Sequence, residues 1–276
     1  MKYTFISDEF YEDGFSGGGE TCNRELINCL LKNGHSVDKV YSFFCSPDFI
    51  SNSDSDIFII GNFGGLPSES ANILKNKKYI IYEHDHKFLK NRNPSVYENF
   101  IAPKSEIINY NFYKNSYKIV AQSSTHKKVI ELNLELSNVE ASINFWSEED
   151  LVNLESFQDI EKKYDACFMD HLYPQKNAIG AKDFCLKNSY NYISINHNTE
   201  HKKFCEILAS SRNFVFFPKV FETLSRVCIE ANCLNTDIIG NQNIAYLLES
   251  WSDLRGLELI NFLRDSKEKT VKIFEN

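Results

Sequence analysis

PKVFETLSRVCIEANCLNTDIIGN, residues 218–241, sets Glu222 and Glu230 with seven residues between them. The apolar run Phe214-Val215-Phe216-Phe217 stands just before it, and Ile238-Ile239-Gly240 closes it. The order is strand, helix, strand, with one acid at the helix mouth and a second two turns further in. In a parallel βαβ unit that mouth lies just outside the carboxyl end of the strand, where such folds take ligands. Glu222, Arg226 and Glu230 also fall at i, i+4 and i+8, the spacing of a solvated, salt-bridged helix face. Both readings stand on this stretch alone.

The same strand–loop–helix rhythm runs outward in both directions. Upstream, strands are expected at Tyr3–Ser7, His35–Ser42, Asp56–Ile60, Tyr79–Tyr82 and Tyr117–Ala121, with a helix over Thr21–Asn33 capped by Gly34. The charged segment Trp146–Lys163 breaks the rhythm and holds a short helix, so the domain hinge is placed near it. A second series follows: strands at Tyr164–Met169, Tyr192–Ile195, Phe214–Phe217 and Asp237–Ile239, and helices at Asn177–Lys187 and His201–Ser210. The Glu222 helix comes next, then helices near Ile244–Trp251 and Leu257–Leu263, and a charged tail from Asp265. Near-continuous apolar strands alternating with helices imply parallel sheets covered on both faces. The expectation is an α/β protein of two doubly wound Rossmann-like domains, residues 1–150 and 151–276, facing each other across a cleft.

Composition narrows the class. The 276 residues suffice for two domains of ordinary size, and 42% hydrophobic with 25% charged residues reads as a soluble globular chain. Twenty-two Phe residues imply aromatic cores. A net charge of −8 argues against a general nucleic-acid surface, yet leaves room for a phosphate ligand held by local donors. No apolar run approaches the roughly 20 residues that span a bilayer, and the opening MKYTFISDEF lacks a secretory core. Eight scattered cysteines without a CxxC pair fit reduced core thiols, a cytoplasmic location and no structural zinc.

Four further constellations carry polar chemistry. Gly14-Phe15-Ser16-Gly17-Gly18-Gly19-Glu20 follows the first strand and opens a helix, a place where backbone N–H groups meet anions. As a dinucleotide fingerprint it fails at Cys22, and no Gly-Lys-Ser/Thr makes it a Walker loop. Asp170 to Asn177 follows the first strand of the second half, and its Lys176 can meet a phosphate as a point charge or stand as a surface lysine. Glu83-His84-Asp85-His86 ends a strand. Its neighbours point to opposite sides, which favours one polar substrate contact over a metal site. Asp54-Ser55-Asp56 precedes a strand, at the wrong end for a ligand loop, and reads as a solvated turn.

Taken together, these segments resemble the retaining GT-B glycosyltransferases of the family-four type. Ser16–Glu20 is similar to that group's acceptor and phosphate loop, and Glu83-His84-Asp85 to its histidine-bearing strand end. Ala121-Gln122-Ser123-Ser124 resembles its serine-bearing strand end, Asp170–Asn177 its diphosphate motif, and Glu222 through Glu230 its E-x7-E motif. The resemblance implies a metal-independent hexosyl transfer, with retention, from a UDP- or GDP-sugar to a glycan or other sugar acceptor, without a cofactor. It makes residues 1–150 the acceptor-side domain and 151–276 the donor domain. Lys176 would hold the diphosphate, Glu222 the donor-sugar hydroxyls and Glu230 the ribose. Backbone N–H groups of Thr223, Leu224 and Ser225 would meet sugar and phosphate. His171 would lie on the donor, His84 beside the reacting sugar or acceptor, and Gly17, Gly18, Gly19 and Glu20 in the phosphate and acceptor loop. Two positions depart from the pattern. His171 replaces an arginine and is a cation only if its pKa is raised. Ser225 replaces a glycine, which narrows the sugar pocket. The group's acceptor-recognition insertions are expected to be trimmed in a chain of this length. A nucleotide-sugar or glycan-binding protein without turnover, and a nucleotide-sugar epimerase, are the alternatives.

Overall fold

The computed structural model describes residues 1–13 and 17–276; Gly14, Phe15 and Ser16 of the glycine-rich loop lie outside the described residues. The chain divides into two compact units, Met1–Phe145 with Lys267–Asn276, and Trp146–Ser266.

The first unit is built on six strands: β1 (Lys2–Ser7), β2 (Ser36–Tyr41), β3 (Ile57–Ile60), β4 (Tyr79–Tyr82), β5 (Lys118–Ala121) and β6 (Val139–Ala141). They lie in the order β2-β1-β3-β4-β5-β6, all parallel. Every residue of β3, β4 and β5 is buried, as expected of strands covered on both faces. The order reverses between β1 and β3, so this unit's crevice for ligands lies at the ends of those two strands. Its helices are α1 (Gly18–Lys32), α2 (Pro47–Asn52), α3 (Ser68–Leu74), α4 (Tyr110–Lys114) and α5 (Ser124–Leu134). Helix α1 starts three residues earlier than its apolar face suggested. The Thr21 N–H and hydroxyl both donate to the Gly17 carbonyl, which closes the first turn over the glycines. Gly34 ends this helix at φ 82, a conformation open to glycine without strain.

The second unit holds α6 (Glu148–Glu155), β7 (Tyr164–Asp170), α7 (Ala178–Lys187), β8 (Tyr192–Asn196), α8 (His201–Ala209), β9 (Ser211–Phe216), α9 (Arg226–Cys233) and β10 (Asp237–Gly240). Its four parallel strands run β10-β9-β7-β8. The chain leaves β7 for β8 on one side and returns for β9 on the other. The switch point therefore falls between β7 and β9. A capping box opens α6: the Ser147 side chain takes the Asp150 N–H, and Asp150 takes the Ser147 N–H.

Several expected boundaries shift for identifiable reasons. Glu222 is not helical. Its N–H donates to Asn243 O at 2.7 Å and its carbonyl accepts from Ala245 N at 3.0 Å, in a one-residue parallel bridge to Ile244. With both backbone groups committed there, the helix begins only at Arg226. The same bridge holds Ile244 extended and leaves a single 3-10 turn, Ala245–Leu248, where a longer helix was expected. Strand β6 was not anticipated, being three residues long with one buried. The charged tail is part of one 20-residue helix, α10 (Gly256–Glu275). The units part at 145/146, and residues 267–276 belong to the first unit, because Val271 and Phe274 are buried in the core of Tyr3, Leu26, Tyr82 and Phe145.

Candidate active site

In the second unit the loops after β7, β9 and β10 are tied together by side-chain amides bonded to carbonyls. Asn177 donates to Phe217 O at 2.9 Å, and Asn241 and Asn243 donate to Pro218 O at 3.0 and 2.9 Å. The Lys219 N–H adds a bond to Gln175 O at 2.8 Å. These bonds bring Lys176, from the loop after β7, to Glu222, from the loop after β9, at 2.7 Å. The pair is half-open to solvent, with side-chain exposures of 33% and 14%. It sits at the switch point of the sheet. A cation and an acid 46 residues apart in sequence thus share one ligand-facing place. The solvated-helix-face reading fails for Glu222, which pairs with Lys176; Arg226 and Glu230 do approach at 3.4 Å along α9.

His171 lies on the same loop and stacks on Tyr173 with ring centroids 4.9 Å apart. Its Nδ1 accepts the Tyr173 N–H at 3.1 Å, so the ring's proton is on Nε2. Burial, Lys176 and His197 lower its pKa below the ordinary value, with Glu222 acting the other way. His171 is therefore neutral near pH 7, and the expected arginine's charge is not replaced. The positive charge of this loop rests on Lys176.

Ser225 occupies the left-handed region at φ 68, where a glycine would sit without strain, and its hydroxyl donates to Cys228 Sγ at 3.2 Å. Thr223, Leu224 and Ser225 are all buried. Glu230 is 5% exposed and heavily engaged. Its Oε1 accepts from Trp146 Nε1 at 3.0 Å and from Arg226 at 3.4 Å, and its Oε2 faces His201 Nε2 at 3.4 Å. Burial pushes the Glu230 carboxyl up, but His201, Arg226 and Trp146 outweigh it and the net pKa is lowered. His201 is raised by its contacts with Cys205 and Glu230, against desolvation. Arg226 also lies over the Trp146 ring at 4.5 Å. Sequence reasoning missed Trp146, Asp150 and His201, because their approach to Glu230 depends on tertiary packing.

In the first unit, Gly17 caps α1, and Gly18, Gly19 and Glu20 form its first turn. A Cβ on Gly19 would come 3.4 Å from the His84 ring, so glycine lets the helix start pack against that histidine. Burial raises the Glu20 carboxyl. His84 Nε2 pairs with Asn23 Oδ1 of α1 at 2.6 Å, and Nδ1 pairs with the Gln122 amide after β5. Burial and Lys87 lower its pKa to about 3, so the ring is a neutral, hydrogen-bonded group. Sequence reasoning did not single out Asn23, whose approach to His84 depends on the packing of α1 against the end of β4. Next to His84, Glu83 and Asp85 take the Lys87 ammonium at 2.6 and 2.7 Å, and the Tyr113 hydroxyl donates to Glu83. Asp54 is an exposed partner of Lys2 at 2.5 Å, a solvated turn as its sequence position implied. Among the described residues no group of His, Cys, Asp and Glu is arranged to hold a metal ion, and no helix is long and apolar enough to cross a membrane. All eight cysteines are free thiols, seven of them buried.

The chain as a whole superposes on solved glycosyltransferases. The fold is GT-B-like. The chain is similar to the sucrose-phosphate synthase of Thermosynechococcus elongatus, with a TM-score of 0.60 at 9% identity over 98% of this chain and 92% of that one. It is similar to an α-glucosyltransferase in complex with UDP and a 13-mer DNA, with a TM-score of 0.56 at 12% identity over 99% and 89%. HepE of Anabaena, in complex with UDP and glucose, gives 0.53 at 12% over 99% and 92%. No family model and no curated protein matches the sequence.

Proposed function

We propose that this protein is a glycosyltransferase that moves a hexose from a nucleotide-diphosphate sugar to a glycan or other sugar acceptor. The observation that carries the reading is the Lys176–Glu222 pair, held at 2.7 Å at the switch point of the second sheet. Charge builds on the diphosphate as the glycosidic bond to it breaks. A lysine aimed there stabilises that charge in the transition state. In this reading Lys176 exchanges Glu222 for the diphosphate, and Glu222, released, takes donor-sugar hydroxyls. Backbone N–H groups of Thr223, Leu224 and Ser225 border the sugar and phosphate, with the neutral His171 on the donor as a hydrogen-bonding group. Glu230 serves the ribose by exchanging one of its present partners. His84, neutral, orients the acceptor or the reacting sugar, next to Gly17, Gly18, Gly19 and Glu20. The transfer proceeds with retention and without a metal. UDP is the first nucleotide to try, since HepE and the α-glucosyltransferase are both described in complex with it.

The deciding measurement is thermal melting with UDP, GDP, ADP and their common sugars, on wild type and Lys176→Ala. A ligand at a hundred times its Kd stabilises the folded form by about 2.7 kcal/mol. One nucleotide is expected to raise the melting temperature of wild type selectively and to lose most of that effect in the variant. No shift with any of them, or an undiminished shift in Lys176→Ala, would overturn the donor site. With a donor in hand, Lys176→Ala and Glu222→Ala should each lower turnover by about 10²–10³, as loss of one charge-stabilising group does. The pair is part-exposed, so either variant should stay folded. EDTA should leave the rate unchanged; a strong loss restored by Mn²⁺ would sink metal independence.

A further inference from the structure

We propose that a pocket of about 610 Å³ in the first unit binds the anionic group of the acceptor, a sugar that carries a phosphate or a carboxylate. Only the role as acceptor rests on the glycosyltransferase reading; the anion site is carried by the pocket's own walls.

The pocket is walled by the segment that follows β3, the segment that follows β4, and residues 107–112 ahead of β5. Its volume is that of a small-molecule site. Among the described residues four cations line it, Lys75, Lys87, Lys90 and Arg92, and no aspartate or glutamate does. That lining stands out in a chain of net charge −8. The four differ in what they can offer. Lys87 is buried and fixed between Glu83 and Asp85, so it is a structural charge at the back. Lys75 is exposed and donates to Asn72 Oδ1 at 2.7 Å, with no carboxylate partner among the described residues. Lys90 and Arg92 are more than half exposed, and their carboxylates stand off at 3.6 and 3.4 Å. Long, solvent-screened pairs of this kind are weak and readily exchanged for a ligand's anion.

The remaining walls suit a sugar. The rings of Phe63 and Phe112, 5.0 Å apart and buried, and the side chains of Leu66 and Leu89 give the pocket an apolar lining against which ring C–H groups can pack. Asn72 and Asn111 add amides that pair with hydroxyls in either direction. A hexose with one anionic substituent uses both features, whereas a neutral sugar gains nothing from the exposed cations Lys75, Lys90 and Arg92.

Titration calorimetry on the full chain tests this, with glucose 6-phosphate, glucuronate and glucose as probes. The variants are Lys75→Ala/Lys90→Ala, both at exposed positions, and Lys176→Ala in the donor site. One of the two anionic sugars should bind wild type at least tenfold tighter than glucose, and which one binds separates phosphate from carboxylate. Its affinity should fall about tenfold or more in Lys75→Ala/Lys90→Ala and persist in Lys176→Ala. Absence of binding by both anionic sugars, binding of glucose as tight as theirs, or loss only in Lys176→Ala would each overturn the proposal. UDP titrated in parallel keeps the two readings apart. If UDP fails to bind while the anionic sugar binds as expected, the donor reading falls and the anion site stands.

Discussion

Ser225 shows how a single residue records the constraints of a site. Its φ of 68 places an L-residue where the Cβ crowds the following carbonyl, at about 1–2 kcal/mol. The conformation is imposed from both sides: Glu222 is bridged to Ile244, and α9 must begin at Arg226. Comparing Ser225→Gly with Ser225→Ala isolates the backbone contribution, because both lose the hydroxyl bond to Cys228. The glycine variant should be the more stable by about 1 kcal/mol and melt a few degrees higher. An alanine variant melting as high as the glycine variant would show that the position is unstrained. Sequence marked this residue as a departure from a glycine but could not give its φ. Lys176 and Glu222 were legible for a related reason, since each follows a recognisable apolar strand. Of the partners of Glu230 only Arg226, one turn away on the same helix, was legible; Trp146 lies 84 residues away and nothing local links it to Glu230.

At the scale of elements, α6, α8 and α9 meet through charge. His201 opens α8 and faces Glu230 of α9 at 3.4 Å and Asp150 of α6 at 3.7 Å, with Arg226 of α9 facing the same two acids. A raised folded-state pKa means that His201 binds its proton more tightly folded than unfolded. Its stabilising contribution is full below about pH 6.5 and is lost as the pH rises through the folded value. The lowered Glu230 acts in the opposite sense. Its contribution is present above about pH 4.3 and is lost as the pH falls through its folded value. Between those limits both contributions are present. Thermal melting of wild type and His201→Gln from pH 5 to 9 should therefore show a gap that is widest near pH 5–6 and narrows steadily as the pH rises toward 9. The difference between the two proteins is the readout, since Lys162, held down to about 8 by burial, titrates in the same range with the opposite sign. A gap that does not change with pH would remove His201 as the titrating partner. Patterning had indicated a helix in each of these three places. Their convergence was hidden, because apolar periodicity reports which face is buried and not against which neighbour.

For the whole molecule, the first parallel sheet could be read in advance because β3, β4 and, after Lys118, β5 are near-continuous apolar runs, as strands covered on both faces are. The assignment of the chain's end could not be read that way. Residues 267–276 follow the second unit in sequence and belong to the first. In sequence they read as part of a charged tail, and nothing in the pattern names the core that takes Val271 and Phe274. In the structure Phe274 is fully buried with Tyr3, Leu26 and Val271, and its ring stands edge-on to Tyr82 at 5.1 Å. The Tyr3 hydroxyl donates to Phe274 O at 3.4 Å and Lys118 Nζ to Ile273 O at 2.8 Å, so the last turns of α10 are bound by backbone as well as side chain. Removing a ring from such a core costs about 3–5 kcal/mol, because the cavity left behind closes only in part. Phe274→Ala should accordingly lower the melting temperature by about 10 °C. Leu257→Ala, on the same helix at a position 52% exposed, should change it by no more than about 1–2 °C. Hydrogen exchange then separates the units: in Phe274→Ala, protection should fall in β1 and β4 and stay near wild type in β7 and β9. Equal loss across both sheets would mean that residues 267–276 stabilise the second unit as much as the first.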